Sequence, residues 1–184
     1  AAALAAGIEP ADEQRTADYA AQLKIRFRWN TEPPRLIVDG VDMTHRLRDA
    51  DVTSAVSDVA TNGAIRLVLV KAQQIIGQQH DRLVTEGRDQ GSVVFPDATV
   101  KFYLDAAAQV RARRRADQLR EAGQHVDEQK LLNQIIDRDR RDSSRLDGPL
   151  ICPDDAVKVD SSQMSLQQVV DHLAQHVRGI VPDA

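Results

Sequence analysis

The sequence predicts an α/β protein: a three-layer arrangement of a parallel sheet with helices on both faces, carrying a small β-rich insert. Three observations predict it. Short aliphatic runs at 82–86, 99–104 and 156–160 alternate with longer segments of helical periodicity, the pattern of strand–helix–strand units. The 42% hydrophobic content over 184 residues is enough for a real core. That core must be aliphatic, because only six residues are aromatic.

In chain order, Ala11 to Leu23 has helical spacing, and Lys24-Ile25-Arg26-Phe27-Arg28-Trp29 alternates polar and apolar as a half-buried strand does. Asn30-Thr31-Glu32-Pro33-Pro34 turns the chain into a second short strand, Arg35 to Val38, and Asp39-Gly40 turns it again. Residues 24–48 thus form the β-rich insert. Helices follow near 51–60 and 63–79, then a buried strand at 82–86 and another at 99–104. Helical patterns occupy 106–122 and 127–141, a strand 156–160, and a last helix 165–178. Ser161, Ser162 and Ser165 compete to cap that helix.

Charge and composition narrow the function. A net charge of -4 and a pI near 5.7 argue against a nucleic-acid or membrane-surface binder. No apolar run reaches the ~18–20 residues that cross a bilayer. Cys152, the single cysteine, permits no intrachain disulfide and suits a reducing cytoplasm. Of the 24 basic residues 19 are arginine, and they cluster.

The loop Glu86-Gly87-Arg88-Asp89-Gln90-Gly91-Ser92 sits at the carboxyl end of the expected strand 82–86, where parallel sheets bind ligands. Arginine offers a fixed fork of donors matching phosphate, and glycine lets a ligand approach the backbone. The alternative is a tight turn whose arginine pairs with its neighbouring acid. A second cluster, Arg111, Arg113, Arg114 and Arg115, follows the next strand. A third places Arg138, Asp142 and Arg145 at i, i+4 and i+7, on one helix face. Two guanidiniums flanking a carboxylate can hold phosphate and sugar hydroxyls. The same spacing also fits a solvated face of ion pairs, each contributing ~0.3–0.5 kcal/mol. His172 and His176 have helical zinc spacing but no intervening glutamate, so they read as helix-surface residues. The five lysines are followed by Ile, Ala, Phe, Leu and Val, so none completes a Gly-x-x-x-x-Gly-Lys-Ser/Thr loop.

These residues together resemble bacterial cytidylate kinase. The blocks Glu86–Ala98, the strand to Asp105, the arginine-rich helix, Arg138–Arg145 with Pro149-Leu150, and Ile37–Met43 in the insert carry the resemblance, which runs through essentially the whole chain. It implies a nucleoside monophosphate kinase-like member of the P-loop NTPase fold, one domain over 1–184, with 24–48 in the CMP-binding lobe and a lid-containing helical region at 110–145. It implies transfer of the γ-phosphate of MgATP to CMP or dCMP, by a cytoplasmic monomer with no nucleic-acid or membrane partner. Ser57, Arg66 and Asp89 would recognise cytosine, Arg88 and Arg138 the phosphate, and Asp142 the sugar. Arg114, Arg115 and Arg145 would approach the transferring phosphoryl group. Gln90, where the family more often has an apolar residue, and Ser92 for threonine are departures. The opening Ala1–Ala6 run reads as the tail of a helix, so the expected match is the C-terminal four-fifths or so of the family, without its phosphate loop, and inactive by itself. The other reading is a non-catalytic nucleotide-binding or scaffolding protein that has lost ATP chemistry.

Overall fold

The computed structural model describes residues 1–144 and 149–181, apart from the side chains of residues 57 and 58. It is a mixed helix–sheet protein whose chain divides into two compact units, residues 1–85 and 86–184.

The first unit opens with a single helical turn, α1 (Ala2–Ala5), and then α2 (Glu13–Gln22). The Asp12 carboxylate starts α2 by accepting from the Arg15 amide at 3.1 Å. Strands β1 (Ile25–Arg28), β2 (Arg35–Val38) and β3 (Val41–Asp42) make an antiparallel meander in the order β1-β2-β3. Register runs from Ile25 opposite Val38 to Arg28 opposite Arg35, then Val38 opposite Val41. The β2–β3 turn is Asp39-Gly40, with φ of 48° and 84°. Positive φ at both central residues is the hairpin turn whose twist matches the strands, which explains why Asp-Gly stands there. All three strands fall within 24–48, and a 3-10 turn at Thr44–Arg48 follows them.

Helices α3 (Ala50–Thr61) and α4 (Gly63–Gln78) complete this unit. Asn62 joins them. Its Oδ1 accepts from the Ile65 amide at 3.1 Å to cap α4, while its Nδ2 donates to the Glu13 carbonyl at 2.8 Å, fastening α4 to the start of α2.

The second unit holds the parallel pair β4 (Phe102–Asp105) and β5 (Val157–Asp160), in register from Phe102 opposite Val157 to Asp105 opposite Asp160. Helix α5 (Ala108–Glu121) follows β4 and packs on α6 (Glu128–Ser144), and its Ala112 and Ala116 are buried. Gly123, at φ 77°, ends α5: its conformation brings the Gln124 amide back to the Leu119 carbonyl at 2.9 Å. Helix α7 (Leu166–Ile180) starts at Ser165 in a full capping box with Gln168. Of the three candidate caps Ser165 succeeds because the others are engaged elsewhere. Ser161 donates to the Asp105 carbonyl at 3.0 Å and Ser162 to the Asp160 carboxylate at 2.6 Å. His176 lies edge-on to Phe102, ring centroids 5.5 Å apart.

Two expectations need correction. Residues 82–86 form no strand: they are irregular and exposed, Val84 to 98%. A strand needs ladder partners for its amides and carbonyls, and this segment, which straddles the division between the units, has none among the described residues. Parallel pairing is likewise confined, among the described residues, to β4 and β5. The Glu86–Ser92 loop therefore follows an irregular, exposed segment rather than a buried strand. It is built instead on a π-helical turn, Gln90–Val94, in which the Asp89 carbonyl accepts from the amides of Val93 (2.9 Å) and Val94 (3.2 Å). The buried Val94 anchors that turn. Such turns occur often at functional sites.

Candidate functional site

The predicted site residues of the second unit do come together in part. The π-turn leaves Arg88 and Asp89 half-buried immediately before its start. Helix α6 brings up Asp142, whose Oδ2 lies 3.1 Å from Arg88 Nε and 3.7 Å from Arg138 Nε. Asp142 is 15% exposed and Arg138 63%, so one half-buried carboxylate stands between a half-buried and a solvated guanidinium. Its own backbone carbonyl accepts from the Leu150 amide at 2.7 Å. Ion pairs of this exposure stabilise little. Their consequence is geometric: the carboxylate keeps two like charges side by side.

Helical periodicity explains why Asp142 points inward. Leu132, Ile135, Asp139 and Asp142 follow one another at i+3, i+4 and i+3, and all four are half-buried. The stripe that packs α6 thus turns from apolar to acidic over its last two turns. Asp139 is met by Arg111 of α5 through a two-pronged bond, 2.7 and 3.1 Å. The third donor of Arg111, Nε, reaches the Ala106 carbonyl at 2.8 Å, just past the end of β4. The hydrogen bond to Asp139 raises the already high pKa of the Arg111 guanidinium, against its partial burial. Sequence spacing could not pair residues 28 positions apart, although an acid in an otherwise apolar stripe is a signal.

Other predicted residues are placed differently. Arg114 donates to the Ser161 hydroxyl (3.2 Å) and to the carbonyls of Ser161 (2.6 Å) and Met164 (2.9 Å), fastening the β5–α7 connection. Arg115 is exposed and touches Gln118 at 3.4 Å. In the first unit Arg66 lies half-buried in the opening turn of α4 and Ser57 lies on α3. The side chain of Ser57, and all of Arg145, lie outside the described residues. The first unit also has a cavity of about 530 Å³ between β1 and α4, bordered by Ile25, Phe27, Trp29, Ile76 and His80. It contains none of the predicted site residues. Among the described residues no group of three or more His, Cys, Asp or Glu is arranged to hold a metal ion, and no helix is long and apolar enough to cross a membrane.

The second unit thus combines a parallel β pair with helices, and sets one carboxylate, Asp142, between the guanidiniums of Arg88 and Arg138. The family model described as cytidylate kinase matches residues 1–179. The cytidylate kinase of Mycobacterium avium (strain 104) is 41% identical over 177 residues, which span 96% of this chain and 78% of that protein. That of Pseudomonas savastanoi pv. phaseolicola (strain 1448A / Race 6) is 38% identical over 178 residues, 95% and 77% of the two chains. That of Enterobacter sp. (strain 638) is 37% identical over 177 residues, again 96% and 78%. The chain belongs to the cytidylate kinase family, and so to the nucleotide-binding kinases, a class of transferases.

Proposed function

We propose that this protein acts in transfer of the γ-phosphate of ATP to CMP or dCMP, and that the second unit supplies the grip on the acceptor. The relatives' shared name supports the reaction, and the Arg88–Asp142–Arg138 arrangement is the observation that carries the site. Without ligand, Asp142 holds the two guanidiniums together. An arriving monophosphate takes over those donors, freeing the carboxylate to accept from sugar hydroxyls. Charge-assisted bonds of this kind contribute about 1.5–3 kcal/mol each.

Cytosine recognition is the role proposed for Asp89, and for Ser57 and Arg66. Arg115 and Arg145 are proposed to neutralise charge on the transferring phosphoryl group, a task in which one arginine can be worth about 10³–10⁵ in rate. Arg114 is proposed for the same task on condition that it releases Ser161 and Met164. In this reading the whole fold is the three-layer P-loop type, residues 1–184 act as one cytidylate kinase-like domain, 24–48 belongs to the CMP lobe, and 110–145 contains the lid. Mg²⁺ would travel with the phosphates of ATP, since the described residues offer it no cage of their own. The proposed setting is the cytoplasm, in keeping with one cysteine, and the proposed state is a monomer.

A second reading rests on one feature: none of the five lysines precedes Ser or Thr, so these 184 residues contain no lysine-based phosphate loop. The residues taken alone are then expected to bind CMP with negligible turnover, as a nucleotide-binding protein without ATP chemistry also would. Calorimetric titration with CMP, beside a coupled assay of ADP release on the same polypeptide, separates the possibilities. Binding without turnover supports the acceptor site. Robust CMP-dependent ADP release contradicts the expected inactivity, and no binding at millimolar CMP removes the acceptor site altogether.

A further inference from the structure

We infer that Arg111 and Asp139 form a positioning device for the acceptor site: by locking α6 against the end of β4, they set where Asp142 stands. The inference rests on the acceptor reading above.

The geometry singles out this pair. The Arg111 guanidinium uses Nε on the Ala106 carbonyl (2.8 Å) and its two terminal nitrogens on the two oxygens of Asp139 (3.1 and 2.7 Å). One rigid planar group therefore ties the exit of β4, the first turn of α5 and the last half of α6. A two-pronged bond to a planar fork constrains direction as well as distance. Several other charge pairs of this unit lack that property. Arg120 makes single bonds to Asp117 (2.9 Å) and Glu128 (3.0 Å), all strongly exposed, and Arg140 lies 3.6 Å from Asp137. The Arg111–Asp139 pair is two-thirds buried on both sides, with side chains 33% and 29% exposed.

Asp139 precedes Asp142 by three residues and follows Arg138 directly, so both are carried by the turn it anchors. Side-chain atoms stand about 5–6 Å from a helix axis, so a 20° rotation of α6 would move the Asp142 carboxylate by about 2 Å. That is enough to break its 3.1 Å approach to Arg88. A misplacement of about 1 Å can cost on the order of 10²-fold at a site that works by alignment. Arg111 and Asp139 need not touch the nucleotide to matter; they act through Asp142.

The test measures CMP affinity by calorimetry on this chain, with circular dichroism and melting temperature as controls, for wild type, Asp139→Asn, Arg111→Lys and Asp142→Ala, and for the double variant D139N/D142A. The expected result is about a 10-fold loss of CMP affinity in Asp139→Asn, and a similar loss in Arg111→Lys, whose ammonium keeps the charge but not the fork. On the Asp142→Ala background, Asp139→Asn should cost clearly less than on the wild-type background, because the part of its effect that passes through the carboxylate is already gone. Equal losses on both backgrounds, or none on either while wild type binds CMP, overturn the inference and leave the acceptor reading intact. If Asp139→Asn proves unfolded, the Arg111→Lys arm, with the same comparison on the Asp142→Ala background, decides. Wild type failing to bind CMP removes the acceptor reading, and the inference with it.

Discussion

Arg88 and Asp142, 54 positions apart in sequence, meet with Nε 3.1 Å from Oδ2, where the turn that carries the arginine faces the helix that carries the acid. This pairing makes Arg88 and Arg138 neighbours despite their like charge. It predicts an asymmetry between two substitutions. Arg88→Ala removes a phosphate donor and should weaken CMP binding by about 10–100-fold, the equivalent of one charge-assisted bond. Asp142→Asn keeps the shape but leaves two guanidiniums without a carboxylate between them. It should weaken binding of CMP more than binding of inorganic phosphate, which has no sugar to lose. Calorimetry with both ligands checks this, and equal losses for the two would remove the sugar-binding role of Asp142.

Asn62 supports a stability prediction in the first unit. It is 3% exposed and serves two masters, the Ile65 amide and the Glu13 carbonyl. Asn62→Ala loses the cap, about 0.5–2 kcal/mol, and the hydrogen bond to the Glu13 carbonyl, about 0.5–1.5 kcal/mol more. Asn62→Asp keeps the cap but replaces the donor with a charge facing that carbonyl, so it should rescue little. Urea unfolding followed by circular dichroism measures the loss; a change within about 0.5 kcal/mol for Asn62→Ala would show that the α2–α4 link stabilises nothing.

Much of this architecture is legible in local pattern. The alternation Ile25, Phe27, Trp29 marks β1 and the Asp39-Gly40 turn marks the β2–β3 hairpin, because strand period and turn chemistry are properties of adjacent residues. Helices α5 and α6 are legible for the same reason. What pattern could not supply was tertiary. Leu83 and Val84 look like a buried strand, yet strandedness belongs to a pair of segments, and here they have no ladder partner among the described residues. The π-turn at Gln90–Val94 depends on backbone bonds one residue longer than the helical period, which no side-chain pattern encodes. The site divides in the same way. Arg88, Arg138 and Asp142 were readable from residue type and spacing, whereas Arg111–Asp139 and the engagement of Arg114 depend on contacts between distant segments.

Tyr103, on β4, gives a pH dependence. Burial raises its pKa above 10.0; the negative charges of Asp105, Cys152 and Asp139 add to the rise, and the positive charge of Arg88 opposes it. With the folded pKa above the unfolded one, the folded state holds the phenolic proton more tightly. The resulting stability is complete below the unfolded value near 10 and is lost as pH rises through the folded value. Ultraviolet titration should show one phenol ionising late, in a component that Tyr103→Phe removes. If Tyr103→Phe leaves the titration of the late component unchanged, the assignment to Tyr103 fails.

Arg114 and Arg115 are adjacent on α5, and the structure separates what each should do. Arg114 places three hydrogen bonds on Ser161 and Met164, where β5 gives way to α7; Arg115 donates to the Gln118 side-chain carbonyl oxygen, in solvent. Removing Arg114 leaves the Ser161 carbonyl with the Met164 amide (3.1 Å) and takes a charged donor from the Met164 carbonyl, and two of its bonds go to the buried Ser161. Arg114→Ala is therefore expected to lower stability by about 1–3 kcal/mol. Arg115→Ala should change stability by under about 0.5 kcal/mol, as exposed substitutions do. Turnover by a catalytically complete cytidylate kinase carrying either change distinguishes the roles further. If Arg115 neutralises the transferring phosphoryl group, its removal should lower kcat on the order of 10³-fold with the fold intact. Arg114→Lys keeps a charge on α5 but cannot span both carbonyls in a planar fork. A variant with normal kcat and lowered melting temperature would identify Arg114 as a structural tie, whereas lowered kcat at unchanged melting temperature would mean that it releases Ser161 during the reaction and serves the phosphoryl group directly.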